Sequence, residues 1–207
     1  MGMRVKVCGI TRLEDAQLAV ELGASAIGFI LWPESPRFID ADRAKTIIQA
    51  LPPFVTPVGV FVDQPEKHVN DIATQIGLGA VQLHGNETPE YCGSIRHRVM
   101  RAIGLTPMTD LASFRAWPAS ITLLLDAHDP EKHGGTGRTV NWALAARVAT
   151  MRRTVLSGGL RPDNVSAAVD AVRPFAIDVS SGVEARPGVK DPERMRAFFH
   201  AVDAVRA

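Results

Sequence analysis

The chain has 207 residues, of which 46% are hydrophobic, and it carries 23 basic and 22 acidic side chains. This near balance, with no segment in which Lys or Arg cluster, argues against binding to nucleic acid or to a membrane surface. No apolar run reaches the ~18 residues of a membrane span, and the N-terminus lacks an apolar signal core, so we expect a cytoplasmic protein. Cys8 and Cys92 have no metal-ligand spacing and are expected to be free thiols, with Cys92 structural.

Short apolar runs alternate with amphipathic segments along the whole sequence, at a period of roughly 26 residues. The predicted strands are Val5–Cys8, Ala26–Leu31, Pro57–Val62, Ala80–Leu83, Val99–Ile103, Ile121–Asp126, Thr154–Ser157 and Ala176–Val179. The predicted helices are Leu13–Leu22, Ala41–Ala50, Pro65–Ile76, Thr88–Ile95, Met108–Trp117, Trp142–Thr150, Pro162–Val172 and Pro192–Val205. Asp40, Asp63, Thr88 and Asp191 are expected to cap or open helices.

Eight such repeats predict a closed parallel sheet. No linker or change in composition marks a second domain. The sequence therefore predicts an α/β fold in which residues 1–207 form a single-domain (β/α)8 TIM barrel with short loops.

Polar residues and glycines concentrate just after the predicted strands, at the rim where such barrels place their active sites. Cys8 ends the first strand, and Lys6 lies on the same face roughly 6.5 Å away. A buried cysteine is often only a space-filling residue. At this rim, however, a thiol near an ammonium group could act as a base. A Schiff-base role for Lys6 is a minor alternative because Lys6 lies one layer deeper.

Asp126 follows an apolar strand, and these surroundings favour a protonated carboxyl that could act as a general acid. A helix cap or a partner for Arg138 is an equally good interpretation from the residues alone. His84 could carry protons or form part of the wall. Asp178 could be a second inward carboxylate, at best in a supporting role.

Arg37 follows Ser35-Pro36, and its guanidinium fork could hold a substrate carboxylate or simply lie at the surface. Glycines after strand 7 and small polar residues after strand 8 are typical of a phosphate site in this fold, although glycines alone could merely allow tight turns. The predicted phosphate-binding residues are Gly158, Gly159, Ser180, Ser181 and Gly182.

Taken in order, these motifs resemble those of the phosphoribosylanthranilate isomerase family of tryptophan biosynthesis. The resemblance rests on Lys6-Val7-Cys8-Gly9-Ile10-Thr11, Phe29 through Ser35-Pro36-Arg37, Val58-Gly59-Val60-Phe61, Gln82-Leu83-His84-Gly85, Asp126 with Gly134-Gly135-Thr136-Gly137, Leu156-Ser157-Gly158-Gly159-Leu160 and Asp178-Val179-Ser180-Ser181-Gly182-Val183-Glu184. It runs from about Val5 to Asp191. Any one motif is weak, but seven in order are specific.

The resemblance implies a cofactor-free Amadori rearrangement of N-(5-phosphoribosyl)anthranilate to 1-(2-carboxyphenylamino)-1-deoxyribulose 5-phosphate, without a metal. It implies Asp126 as general acid, Cys8 as general base and Arg37 as the residue that binds the anthranilate carboxylate. The substrate phosphate would lie at the loops after strands 7 and 8. The protein could be a monomer or a homodimer.

Two departures from the family pattern follow the sixth strand. Val140-Asn141-Trp142 replaces a Phe-Asp-Trp-like sequence, and Asn141 is expected to keep the helix-capping role. The segment His128–His133 is unusually polar and could alter loop closure.

Two other functions compete with this interpretation. The related histidine-pathway sugar isomerase has an aspartate where Cys8 stands, and its second phosphate calls for binding loops that are not evident after strands 3 and 4. A catalytically silent, ligand-binding barrel is the other candidate, but both Cys8 and Asp126 are retained.

Overall fold

The protein is described by a computed structural model that covers residues 2–127 and 139–205. Eight parallel strands close into a barrel in sequence order, with β1 paired to both β2 and β8. The strands are β1 Arg4–Cys8, β2 Ala26–Ile30, β3 Thr56–Phe61, β4 Ala80–Leu83, β5 Arg98–Leu105, β6 Thr122–Ala127, β7 Thr154–Leu156 and β8 Ala176–Val179. The predicted (β/α)8 barrel is therefore confirmed.

Helices cover the outside of the barrel. They are α1 Leu13–Glu21, α2 Ala41–Gln49, α3 Glu66–Ile76, α4 Pro89–Ser94, α5 Trp142–Met151, α6 Val165–Val172 and α7 Pro192–Ala204, with 3₁₀ helices at Leu111–Ala116 and Ser181–Val183. Asp40, Thr88, Asn141 and Asp191 accept hydrogen bonds from first-turn amides, as their positions predicted. Among the described residues, no helix is both long and apolar enough to span a membrane.

Alternate side chains along each strand face the two sides of the barrel wall. Leu123 and Leu125 pack outward into the large core between strands and helices, whereas Leu124 packs inside the barrel with Ala102 and Val155. This interior cluster fills the lower part of the barrel. By the same alternation, Asp126 at the upper end of β6 faces inward.

Three predictions about local structure were wrong. The predicted fifth helix is only a short 3₁₀ helix, Leu111–Ala116, which buries Phe114 and stops before Pro118. Asp63 does not cap α3; it accepts hydrogen bonds from the backbone and side-chain amides of Asn86. The seventh predicted helix, Pro162–Val172, starts later, at Val165, because Asn164 holds the preceding turn through Arg161 N and Gly159 O.

The sequence pattern does not indicate the small antiparallel ribbon that follows β8. It consists of β9 Glu184–Arg186 and β10 Val189–Lys190. The ribbon contributes two buried charged side chains, Glu184 and Lys190, to the upper rim of the barrel.

Candidate active site

Cys8 is the last residue of β1, is only 4% exposed and pairs with Gly28 of β2. Lys6 lies two residues earlier, and its Nζ donates a 2.9 Å hydrogen bond to Asp178 Oδ1 on β8. A Cβ atom on Gly28 would lie 2.8 Å from Cys8 Sγ and 3.0 Å from Lys6 Cε. The thiol and the lysine chain therefore both pack against the bare backbone of β2.

Two opposing effects act on the pKa of the Cys8 thiol. Burial raises this pKa, and the positive charge of Lys6 offsets only part of the increase. Burial alone would lower the pKa of Lys6, but Asp178 and Cys8 together outweigh burial and raise it. Cys8 is thus a buried thiol beside a permanently charged ammonium group that would stabilise its thiolate.

Asp126 lies near the end of β6 and is held at both oxygens. Its Oδ1 accepts from Ala127 N at 2.8 Å, and its Oδ2 lies 3.3 Å from His84 Nε2. His84 Nδ1 is 2.9 Å from Gln82 Nε2, so a neutral imidazole carries its proton on Nε2 and donates it to Asp126. Asp126, His84 and Gln82 form one hydrogen-bonded row across β4 and β6.

Arg37 follows β2 and is 8% exposed. The carboxylate of Glu184, at the start of β9, accepts hydrogen bonds from one edge of the Arg37 guanidinium. Glu184 Oε1 and Oε2 accept from Arg37 Nε at 3.0 and 3.1 Å, and Oε2 accepts from Nη2 at 2.8 Å. Nη1 makes no hydrogen bond to any residue that the structure describes. One nitrogen of the fork is therefore left for a ligand.

The loops after β7 and β8 touch each other closely. Gly158 and Gly159 have φ angles of +82° and +63°, which favour glycine. A Cβ atom on Gly182 would collide with the carbonyl group of Leu160. Within the described residues, the buried hydroxyl of Ser180 has no hydrogen-bond partner. These loops form a recess bordered by glycine backbone and serine hydroxyls.

A cavity of about 480 Å³ opens at the upper rim of the barrel and brings most of the predicted site residues together. Its lining includes Cys8, Arg37, His84, Asp126, Asp178 and Ser180. An adjoining recess shares Asp126, Asp178 and Ser180 and is lined further by Gly158, Gly159, Ser181 and Gly182. Lys6 lies beneath Cys8 and does not line the cavity.

Some predicted features lie outside this description. The Gly134-Gly135-Thr136-Gly137 loop, Arg138 and the polar segment His128–His133 fall outside the described residues. Within residues 2–127 and 139–205, no three His, Cys, Asp or Glu side chains are grouped so that they could hold a metal ion. Cys92 is buried on α4, and burial raises its pKa to about 11.

Comparison with known proteins connects this geometry to one family. The family model described as N-(5'-phosphoribosyl)anthranilate (PRA) isomerase matches residues 5–201. The chain belongs to the phosphoribosylanthranilate isomerase family. It is 48% identical over 197 residues to N-(5'-phosphoribosyl)anthranilate isomerase of Geobacter sulfurreducens, covering 95% of this chain and 97% of the relative.

Solved structures of phosphoribosylanthranilate isomerases share the fold. The enzyme from Thermus thermophilus superposes with a TM-score of 0.90 at 43% identity, covering 99% of this chain and 100% of that one. A second such isomerase, in complex with reduced 1-(o-carboxyphenylamino)-1-deoxyribulose 5-phosphate, gives a TM-score of 0.87 at 43% identity, covering 98% and 99% of the two chains.

Sequence reasoning missed four residues of this site. Gly28 lies mid-strand, where only its pairing with Cys8 makes it notable, and Gln82 opens a motif shared with the family but was given no role, although it is hydrogen-bonded to His84. Glu184 is the final residue of the last motif typical of phosphoribosylanthranilate isomerases, but its position in the sequence indicated no role. Lys190 had no signal other than a basic residue near the end of the chain.

Proposed function

We propose that this protein catalyses the Amadori rearrangement of N-(5-phosphoribosyl)anthranilate to 1-(2-carboxyphenylamino)-1-deoxyribulose 5-phosphate in tryptophan biosynthesis. The observation that carries the proposal is that Cys8 and Asp126 line one cavity, with Arg37 in its wall and the glycine-serine recess beside it. The cavity volume of about 480 Å³ is of the size that holds a small-molecule substrate.

The first step opens the ribose ring. Asp126 as general acid gives its proton to the furanose oxygen, the bond from that oxygen to C1 breaks, and a Schiff base forms with the anthranilate nitrogen. His84 and Gln82 suit this role because they fit both protonation states of Asp126. When Asp126 is protonated, it donates to His84 Nε2, and His84 Nδ1 then donates to Gln82 Oε1 once the amide turns. Gln82 Oε1 has no partner within the described residues in the present arrangement.

The second step is proton removal from C2 of the ribose. The thiolate of Cys8 takes this proton, the electron pair moves towards the Schiff-base nitrogen, and the resulting enolamine rearranges to the ketone. Because burial raises the pKa of Cys8, only a small fraction is thiolate at neutral pH. Lys6 would stabilise that fraction, with Asp178 supporting Lys6.

Arg37 is proposed to bind the anthranilate carboxylate. Arg37, Glu184 and Lys190 form one buried, ion-paired cluster with two positive charges and one negative charge. The cluster thus has an excess positive charge next to the cavity, and a substrate carboxylate at Arg37 Nη1 would balance it.

The substrate phosphate is proposed to occupy the recess between the loops after β7 and β8. Glycine at positions 158, 159 and 182 lets the backbone approach a ligand closely. The hydroxyl groups of Ser180 and Ser181 lie in the same recess, and Ser180 Oγ would gain the partner that it lacks in the described residues.

The opposite part of the rim argues against the histidine-pathway substrate, which carries a second phosphate. After β3 and β4, Glu87 accepts hydrogen bonds from Asp63 N at 3.0 Å and from Gly85 N at 2.9 Å. Asp63 in turn accepts from Asn86 N. Carboxylates therefore occupy backbone amides of these two loops, which leaves fewer donors there for a second phosphate.

Two further properties remain predictions. We infer a cytoplasmic location from the two free cysteines and the biosynthetic role, which fractionation of cells would test. The oligomeric state is a monomer or a homodimer, and sedimentation equilibrium would distinguish the two.

A continuous fluorescence assay with freshly generated phosphoribosylanthranilate tests the function directly. We expect turnover by the wild type and at least about a 100-fold lower rate for Cys8→Ser at equal folded concentration. Equal rates would move the base elsewhere, with His84 the next candidate. Ligand binding without turnover by the wild type would favour the silent-barrel alternative.

A further inference from the structure

One buried ammonium group connects three separate parts of the site. Lys190 Nζ donates to Cys8 O at 2.6 Å, to Ser180 O at 3.2 Å and to Glu184 Oε1 at 2.9 Å. The side chain of Lys190 is fully buried, and three acceptors use all three of its N–H groups. The end of β1, the start of the loop after β8 and the partner of Arg37 are thereby held together.

Glu184 connects the ammonium group of Lys190 to the guanidinium group of Arg37. Its Oε1 receives Lys190 Nζ and also Gly188 N at 3.3 Å, while both of its oxygens receive Arg37. Burial alone would raise the pKa of Glu184, but Arg37 and Lys190 outweigh burial and lower it. Glu184 is therefore a carboxylate fixed from three sides, and it leaves Arg37 one orientation.

The arginine side chain is confined along its length as well. A Cβ atom on Gly9 would lie 2.8 Å from Arg37 Cδ and 3.1 Å from Ser180 Oγ. Arg37 thus crosses directly over the glycine that follows the catalytic cysteine. Any swing of the fork would have to break its contacts with Glu184.

We propose that Glu184 and Lys190 are positioning residues for the rearrangement: Glu184 orients Arg37 towards the substrate carboxylate, and Lys190 sets that fork relative to Cys8 and the phosphate loop. This rests on the proposed role of Arg37. The carboxylate and phosphate are the two charged ends of the substrate, so a fixed separation between their sites places C2 reproducibly at Cys8. Neither residue touches the reacting atoms.

Two ligands that differ only by the carboxylate group on the ring distinguish a positioning role of Glu184 from a general effect on protein stability. They are reduced 1-(o-carboxyphenylamino)-1-deoxyribulose 5-phosphate and the same compound with an unsubstituted phenyl ring, with each dissociation constant measured by calorimetry. For Glu184→Gln we expect at least tenfold weaker binding of the carboxylate ligand and less than a twofold change for the phenyl ligand. Equal weakening of both ligands, or of neither, would overturn the proposal.

A second variant with a shorter carboxylate, Glu184→Asp, distinguishes the effect of side-chain geometry from the effect of charge. It also keeps the proposal testable if Glu184→Gln does not fold. Glu184→Asp keeps the charge but cannot reach both Arg37 and Lys190, so it should show the same selective loss. Wild-type binding by Glu184→Asp would mean that charge alone matters and would refute the positioning role. Glu87→Gln, which alters another buried carboxylate of the rim paired with Arg101, should leave the ratio of the two affinities unchanged.

The Arg37→Ala variant distinguishes failure of this inference from failure of the proposed substrate contact. Arg37→Ala should weaken only the carboxylate ligand, and adding Glu184→Gln should weaken it no further. If Arg37→Ala has no effect, the contact itself is wrong, and the positioning role falls with it. If Arg37→Ala is selective and Glu184→Gln is not, the contact stands and only the positioning role is refuted.

Discussion

Adding one methyl group to β2 should disable Cys8, the proposed base, without removing any functional group. A Cβ atom on Gly28 would lie 2.8 Å from Cys8 Sγ, whereas non-bonded heavy atoms settle at roughly 3.5–4.0 Å. In Gly28→Ala the thiol must therefore move by about 1 Å, and a displacement of that size can cost about 100-fold in rate. This loss corresponds to about 2.7 kcal/mol in the activation barrier. Overpacking should also cost about 1–3 kcal/mol of stability.

The assay is kcat/KM by fluorescence together with the thermal midpoint of unfolding. At this chain length each kcal/mol lowers Tm by about 2–4 °C, so Gly28→Ala should stay folded at room temperature. Gly59→Ala is the matched control, because its new Cβ would collide with Leu78 and lie 2.8 Å from Phe61 Cε2, away from the cavity. Gly59→Ala should lose stability and keep its activity. Full activity in Gly28→Ala, or an equal loss of activity in both folded variants, would refute the reasoning.

The remaining predictions concern Asp126 as the proposed acid and the charge state of Cys8 as the proposed base. Asp126→Asn should lower turnover at least about 100-fold with an unchanged circular dichroism spectrum, and a near-normal rate would exclude Asp126 as the acid. The second variant is Lys6→Met with Asp178→Asn, which removes the ion pair without leaving a lone buried charge. Lys6 lowers the pKa of Cys8 more than Asp178 raises it, so the rise of kcat/KM with pH should move to higher pH. An unchanged pH profile would show that the pair does not tune the thiol.

The fold was predictable because the spacing of apolar residues along the sequence indicates which face of the sheet each side chain occupies. The run Leu123-Leu124-Leu125 is apolar throughout, as expected of a strand buried on both faces, and such strands recur between helices that start with caps. The prediction failed at Met108–Trp117, where the segment between Pro107 and Pro118 forms only a six-residue 3₁₀ helix, because the pattern of apolar residues does not separate a short 3₁₀ helix from an α-helix.

The site was predictable to the extent that strand ends meet at one rim. Cys8, His84, Asp126 and Ser180 follow that rule and line the cavity. Glu184 lies outside it, since its contact with Arg37 depends on a ribbon that no strand pattern indicates. Sequence position gives the rim on which a residue lies, whereas hydrogen-bond partners depend on tertiary packing.

Two contacts of the lysines around Cys8 span the seam where the barrel closes. Lys6 and Asp178 are 172 residues apart, and Lys190 and Cys8 are 182 apart. Since β1 pairs with β8 only in the closed barrel, the ion pair that holds Lys6 and the hydrogen bond from Lys190 to the Cys8 carbonyl both require that closure. A partly folded barrel would have Lys6 and Cys8 on one strand but would lack Asp178, which holds Lys6, and Lys190. The motif alone therefore supplies Lys6 and Cys8, whereas the contacts that fix their positions belong to the closed barrel.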